Sequence, residues 1–284
     1  MTASNPPRDE PRIHLDSTAH IMNSISSQLA GRLRLVPPIG RRRPAQPALV
    51  LVAHGSRDPR ALDTVRALTD RVRGLRPALP VHLGHIELNE PLLPDTLAAL
   101  GDTPAVLVPL LLGRGYHVKQ DIPEMAAAAP ARTRVAAPLG PHLLLADALH
   151  TRLTEAGWPA TMDAAMRRST AVVLAAAGSR DPDSATDTRR TARLLADRLG
   201  VPVVPAYASA ATPTIGTALH ALAARGRHRV AIASCFTAPG RFAAQCAAQA
   251  PWLASAPLGA QEPMARLILH RYDRSLTAWS AEAA

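Results

Sequence analysis

The sequence predicts an α/β fold of two similar lobes, each a parallel sheet of about four strands flanked by helices and related by internal duplication. Two observations carry that reading. Ala48–Pro59, ALVLVAHGSRDP, returns as AVVLAAAGSRDP at Ala171–Pro182, nine of twelve positions matching at an offset of 123. From Ala48 onward, short apolar runs alternate with helical patterns four times in each half, the signature of parallel strands joined by crossover helices. Each copy of the motif is an apolar run ending in Gly-Ser-Arg-Asp-Pro, which reads as a buried strand, a turn and a helix start.

Taken in order, the first half places strands near 48–53, 80–87, 104–111 and 132–137, followed by helices near 58–74, 91–100, 121–129 and 141–156. The second half places strands near 171–176, 202–208, 229–235 and 252–256, with helices near 182–199, 212–225, 240–249 and 262–278. Pro91 corresponds to Pro213, and Ala137–Gly140, APLG, returns as Ala256–Gly259. These repeats define a first lobe over 48–157 and a second over 171–279. Residues 158–170 read as a linker, and 1–47, rich in Arg and Pro, as a disordered leader.

Charge narrows the partners. The formal net charge is +10, but residues 1–47 hold seven Arg against three acids, so much of it lies outside the repeat. The remainder is dispersed, and few aromatics are available to stack on single-stranded bases, so a nucleic-acid partner is not expected. Cys235 and Cys246 are too few for a disulfide framework and form no Cys-x-x-Cys pair. No apolar run approaches the roughly 20 residues of a membrane span, and no signal-peptide pattern opens the chain. The expectation is a cytoplasmic protein without a membrane partner, with homo-oligomerisation left open.

In open parallel sheets, ligands bind beyond the carboxyl ends of the strands. Three such ends in the first half carry metal-binding groups: His54, Glu87 and, in the loop after the third strand, His117. Two imidazoles and a carboxylate suit a divalent Fe, Co, Ni or Zn ion with positions left open. In the second half the matching positions are Ala177, Ser209 and Phe242, so all three donors are absent together. The first lobe is therefore expected to hold the chemistry. Glu90 and His85 are spare ligands. His142, His150, His220, His228 and His270 are expected to face solvent.

Gly-Ser-Arg-Asp-Pro has two readings. Gly55 permits a tight turn, and Ser56 or Asp58 can cap the helix behind Pro59. Alternatively, the helix start with Ser56 and Arg57 is an anion site. Its retention in the second half favours the structural reading. Asp121-Ile-Pro-Glu124 has the spacing of a helix start with a capping box. Ser56, Arg57, Arg114, Tyr116 and Lys119 are the candidate substrate-binding residues, Arg114 and Lys119 flanking His117 in a loop.

A strand ending in His-Gly-Ser-Arg, then Glu-Leu-x-Glu-Pro, then an apolar strand containing Pro109, then Gly-x-His with Asp-Ile-Pro behind it, resembles the class II sirohydrochlorin chelatases of the CbiX/SirB type. The likeness covers about 48–270. It implies two chelatase-like lobes with a cleft between them. It also implies insertion of Fe²⁺ or Co²⁺ into sirohydrochlorin, an acidic tetrapyrrole, with the metal as substrate and no permanently bound cofactor. On that pattern His54 and His117 bind metal and act in catalysis, with Glu87 as acidic partner. A non-catalytic metal or tetrapyrrole carrier would need the same ligands. A histidine-phosphatase reading fails at Ala53, where such chemistry needs an Arg before the histidine.

Overall fold

The computed structural model describes residues 46–282; the expectation of a disordered leader over 1–47 falls almost wholly outside them. Eight strands form two four-stranded sheets. The first has the order β2-β1-β3-β4, from Ala48–Ala53 (β1), Val81–His85 (β2), Ala105–Pro109 (β3) and Thr133–Val135 (β4). The second repeats it as β6-β5-β7-β8, from Thr170–Ala176 (β5), Val203–Tyr207 (β6), Arg229–Ser234 (β7) and Leu253–Ala254 (β8). All pairings are parallel. The expected pair of sheets is present, with β4 and β8 shorter than the apolar runs suggested.

The central strands are buried on both faces, as an unbroken apolar run requires. Leu49, Leu51 and Ala53 of β1 and Val172, Leu174 and Ala176 of β5 share one core that joins the two sheets. The alternate residues Ala48, Val50 and Val52 face a second, outer core, and Ala171, Val173 and Ala175 face a third. Period-two alternation along two strands thus builds three apolar layers.

The helices are Pro59–Leu75 (α1), Leu93–Ala99 (α2), Tyr116–Lys119 (α3), Asp121–Ala127 (α4), Leu143–Glu155 (α5), Ala164–Ser169 (α6), Pro182–Leu199 (α7), Ile215–Ala223 (α8), Arg241–Ala247 (α9) and Glu262–Glu282 (α10). Two of them differ from expectation. Residues 158–170 are not an extended linker: Trp158 is buried, and α6 forms behind an N-cap in which Asp163 accepts from Met166 N at 2.7 Å. Residues 116–119, expected as loop, form the single turn α3, with Lys119 N donating to Gly115 O and Gln120 N to Tyr116 O.

The last helix of each half crosses to the other. Helix α5 packs on α7 and β7 of the second lobe, while α10 packs on α1, β3 and β4 of the first. Arg76 pairs with Asp273 at 2.6 Å, Arg198 with Asp147 at 3.1 Å, and Arg152 Nε donates to Leu258 O. Residues 46–282 accordingly lie in one compact unit.

The duplication is exact enough to set local backbone geometry. Gly55 has φ +105°, and a Cβ there would lie 1.8 Å from Glu87 O; Gly178 has φ +91° and the same relation to Ser209 O at 1.9 Å. Glu87 N donates to His54 O and Ser209 N to Ala177 O, both at 3.0 Å. Each motif glycine is required because the loop after the neighbouring strand crosses directly over it.

Several histidines expected to face solvent are partly enclosed. His142 caps α5, its Nδ1 accepting from Leu144 N, and its ring lies 4.7 Å from that of His270. Burial holds His82, His85, His142 and His150 below the ordinary imidazole value of 6.5. Below 6.5 the unfolded chain therefore takes up protons that the folded chain resists. Their contribution is present above pH 6.5 and is lost progressively as pH falls below it through the lowered folded-state values. Urea unfolding is expected to show a lower midpoint at pH 5.5 than at pH 7.5 with unchanged slope; equal midpoints would contradict this.

Candidate functional site

The carboxyl ends of β1 and β3 meet at the mouth of a cleft of about 720 Å³ that both lobes line. His54 follows β1 directly. His117 comes from α3, which the loop after β3 delivers to the same place. Their Nε2 atoms are 3.1 Å apart and their rings meet edge to face, with centroids at 4.6 Å and planes at 89°. Two residues 63 positions apart thus share one point.

The other edge of each ring faces oxygen. His117 Nδ1 is 2.5 Å from Asp121 Oδ2, one helical turn away. His54 Nδ1 is 3.3 Å from Gly55 O and 3.6 Å from Glu87 Oε1. Asp121 draws the His117 proton to Nδ1, so His117 Nε2 presents a lone pair. The 3.1 Å contact is a hydrogen bond when His54 carries its proton on Nε2, and a facing pair of donors able to share a cation when it carries it on Nδ1. With a typical metal–nitrogen bond of about 2.1 Å, that separation closes an N–metal–N angle of roughly 95°, within reach of octahedral geometry. The sites of the two rings are half-open: the side chains of His54 and His117 are 40% and 36% exposed.

Glu87 occupies a different place from the one expected of a third ligand. Its carboxylate sits beside His54 Nδ1, on the edge of the ring turned away from His117, and is 53% exposed. Among the described residues no group of three or more His, Cys, Asp and Glu side chains is arranged to hold a metal ion. The two imidazoles face each other, with the carboxylates of Glu87 and Asp121 on their outer edges. Such carboxylates help fix the orientation of the ring beside them.

The spare ligands stay out. His85 is buried with Nδ1 3.1 Å from Pro91 O, and Glu90 accepts from Leu92 N. Cys235 lines the cleft, but burial pushes its thiol up to about 12, so it stays protonated at neutral pH.

The candidate substrate residues divide. Ser56 is committed to the turn: its Oγ accepts from Asp58 N and its own N donates to Asn89 Oδ1. Asp58 caps α1 as Asp181 caps α7, so the repeated motif serves the same structural purpose in both lobes. Arg57 is exposed on the cleft lining with no ion-pair partner among the described residues. Tyr116 is 65% exposed at the rim, its ring 6.3 Å from that of His117. Arg114 and Lys119 are not free. Arg114 makes a two-pronged pair with Asp187, and Lys119 lies 2.7 Å from Asp181 and 2.9 Å from Asp183, all acids of the second lobe. Across the cleft, Ala177, Phe236, Arg241 and Phe242 form a wall in which apolar groups stand where the first lobe carries its donors.

Sequence reasoning read Asp121 as a helix start and so missed its contact with His117. The signal was the i,i+4 spacing of His117 and Asp121, which only becomes informative once α3 is known to be helical.

The sequence model of the CbiX family matches residues 48–156 and again 171–275. The sirohydrochlorin cobaltochelatase of Methanococcus aeolicus is 36% identical over 81 residues, 28% of this chain and 57% of that protein. The sirohydrochlorin ferrochelatase of Bacillus subtilis is 31% identical over 176 residues, 58% of this chain and 64% of that one. These alignments thus span less than two thirds of each relative. Among solved structures, SirB from Bacillus subtilis with Fe3+ superposes with a TM-score of 0.65 at 24% identity, covering 81% of this chain and 95% of that one, a likeness of fold. With the family pattern found once in each lobe and covering most of the sequence, the chain belongs to the CbiX family.

Proposed function

We propose that the protein inserts a divalent metal, Fe²⁺ or Co²⁺, into sirohydrochlorin. The observation that carries this reading is the pair of imidazole Nε2 atoms facing each other at 3.1 Å, open to a cleft large enough for a flat ligand. Named activities of the relatives point the same way: they are called sirohydrochlorin cobaltochelatase and sirohydrochlorin ferrochelatase.

Insertion requires three things of the protein. The ion must exchange water for protein donors, reach the face of the ring, and displace two pyrrole N–H protons. His54 and His117 supply neutral nitrogen donors that hold the ion without a net negative charge, so it is released readily to the four ring nitrogens. Once the metal has left, the imidazole pair accepts the displaced protons one at a time, the first passing to solvent before the second is taken up. Asp121 and Glu87, beside the Nδ1 atoms, stabilise the imidazolium that results. The half-open placement of the rings lets the protons pass on to solvent. Arg57 and Arg241 at the cleft are the cations suited to the carboxylates of the substrate, while the apolar second-lobe wall suits the macrocycle plane.

The test mixes the purified protein with sirohydrochlorin and Co²⁺ or Fe²⁺ and follows the visible spectrum. A rate well above the spontaneous one is expected. A spontaneous rate accompanied by tight binding of metal or tetrapyrrole would instead identify a carrier.

A further inference from the structure

We infer that Asp187, in the lobe that lacks the metal donors, is a positioning residue for His117. The inference rests on the reading of His54 and His117 as the metal-donor pair, and it gives the second lobe a part in the chemistry.

Asp187 lies on α7, and its side chain is only 1% exposed. Its carboxylate makes three hydrogen bonds to one residue of the first lobe: Oδ2 accepts from Arg114 N at 3.0 Å and Nε at 2.9 Å, and Oδ1 from Nη2 at 2.8 Å. Backbone and guanidinium of Arg114 are thereby held together. The loop seats directly on the start of α7, since a Cβ at Gly113 would lie 3.5 Å from Asp187 Cβ and one at Gly115 would lie 3.5 Å from Ser179 Oγ. Lys119, on the far side of His117, pairs with Asp181 and Asp183 at the same helix start. His117 is thus carried between two attachment points, both on the second lobe.

The attachment is hard to undo. A buried carboxylate needs a charged partner, so Arg114 cannot swing away to a substrate without leaving Asp187 uncompensated. The hydrogen bond to Asp187 raises the guanidinium pKa further, consistent with a tight pair. Residues 110–115 have no helix or strand of their own; Leu110 and Leu111 are tied by Val52 and Leu139, and beyond them the contacts to Asp187, Asp181 and Asp183 help set where the turn bearing His117 sits. Two of these acids are particular to the second lobe: Asp183 and Asp187 stand where the repeat has Arg60 and Thr64 in the first.

The experiment titrates Co²⁺ alone into the full chain, then measures insertion kinetics. For Asp187→Asn, the affinity for Co²⁺ is expected to fall about 10-fold, as for loss of an outer-shell partner. Its kcat is expected to fall on the order of 100-fold through misplacement of His117, with KM for sirohydrochlorin unchanged. Arg114→Lys, which keeps the charge beside Asp187 but loses the fork, is expected to move Co²⁺ affinity the same way by a smaller factor. Native Co²⁺ affinity in Asp187→Asn overturns the inference. So does an Arg114→Lys variant that raises KM for sirohydrochlorin while binding Co²⁺ normally, since that is the behaviour of a substrate ligand. If Asp187→Asn loses its melting transition, Arg114→Lys decides alone. A native chain that binds Co²⁺ through His54 and His117 yet inserts no metal would refute the insertion reading while leaving this inference open to the same titration.

Discussion

His54→Ala and His117→Ala are each expected to lower metal insertion by about 100-fold or more with no change in melting temperature. Each removes one of two nitrogens that face each other at 3.1 Å, and a single remaining imidazole gives up the chelate geometry. Neither side chain supports the fold, because both are more than a third exposed and bond mainly to groups in the site itself. Asp121→Asn keeps the His117 ring but loses the carboxylate that fixes its tautomer, so a smaller loss of about 10-fold is expected. His220, whose Nδ1 contacts Gly216 O on the exposed side of α8, serves as control, and His220→Ala is expected to insert metal at the native rate. Steady-state rates by absorbance, paired with thermal melts, check all four. Native activity in either of the first two variants removes the assignment.

The second large effect is structural. Gly55→Ala and Gly178→Ala would each drive a methyl group to within 2 Å of a carbonyl oxygen in the adjoining loop, at φ values an L side chain avoids. Strain of this kind belongs to the small class of severe substitutions, on the order of 3 kcal/mol or more. For a chain of this size that corresponds to a fall of roughly 6–12 °C in melting temperature. The two variants are expected to melt alike, because the two turns are alike. They should differ in function, since the carbonyl displaced by Gly55→Ala belongs to Glu87, beside His54, whereas that displaced by Gly178→Ala belongs to Ser209. Calorimetry with a parallel rate measurement separates the cases; a Gly55→Ala protein melting within about 2 °C of native would show that the loop yields easily.

How much of this was legible in the sequence follows from how locally each feature is encoded. The two parallel sheets reflect apolar runs and a long repeat, both visible in one dimension, whereas the order of strands within each sheet is not encoded in either. His54 and His117 stood out because Ala177 and Phe242 replace them in the second copy. The turn at 116–119 did not show, since four residues are too few to display a helical period. Helix α6 was hidden in a stretch whose Gly157, Pro159 and paired arginines suggested a connector. The engagement of Arg114 and Lys119 was invisible for a different reason: their acidic partners lie 62 to 73 residues away, and charge alone does not name its counter-ion. Glu87 illustrates the limit from the other side: expected at the end of the second strand, it lies two residues beyond β2, beside His54 but at the edge of the ring away from His117.

The exchanged terminal helices bear on how a bulky planar molecule could come and go. Each sheet is roofed by a helix supplied from the opposite half, so the lobes cannot swing apart as rigid jaws without peeling α5 and α10 from their seats. The gap between them, with Tyr116 at its lip, is therefore held at both ends and keeps a nearly fixed width.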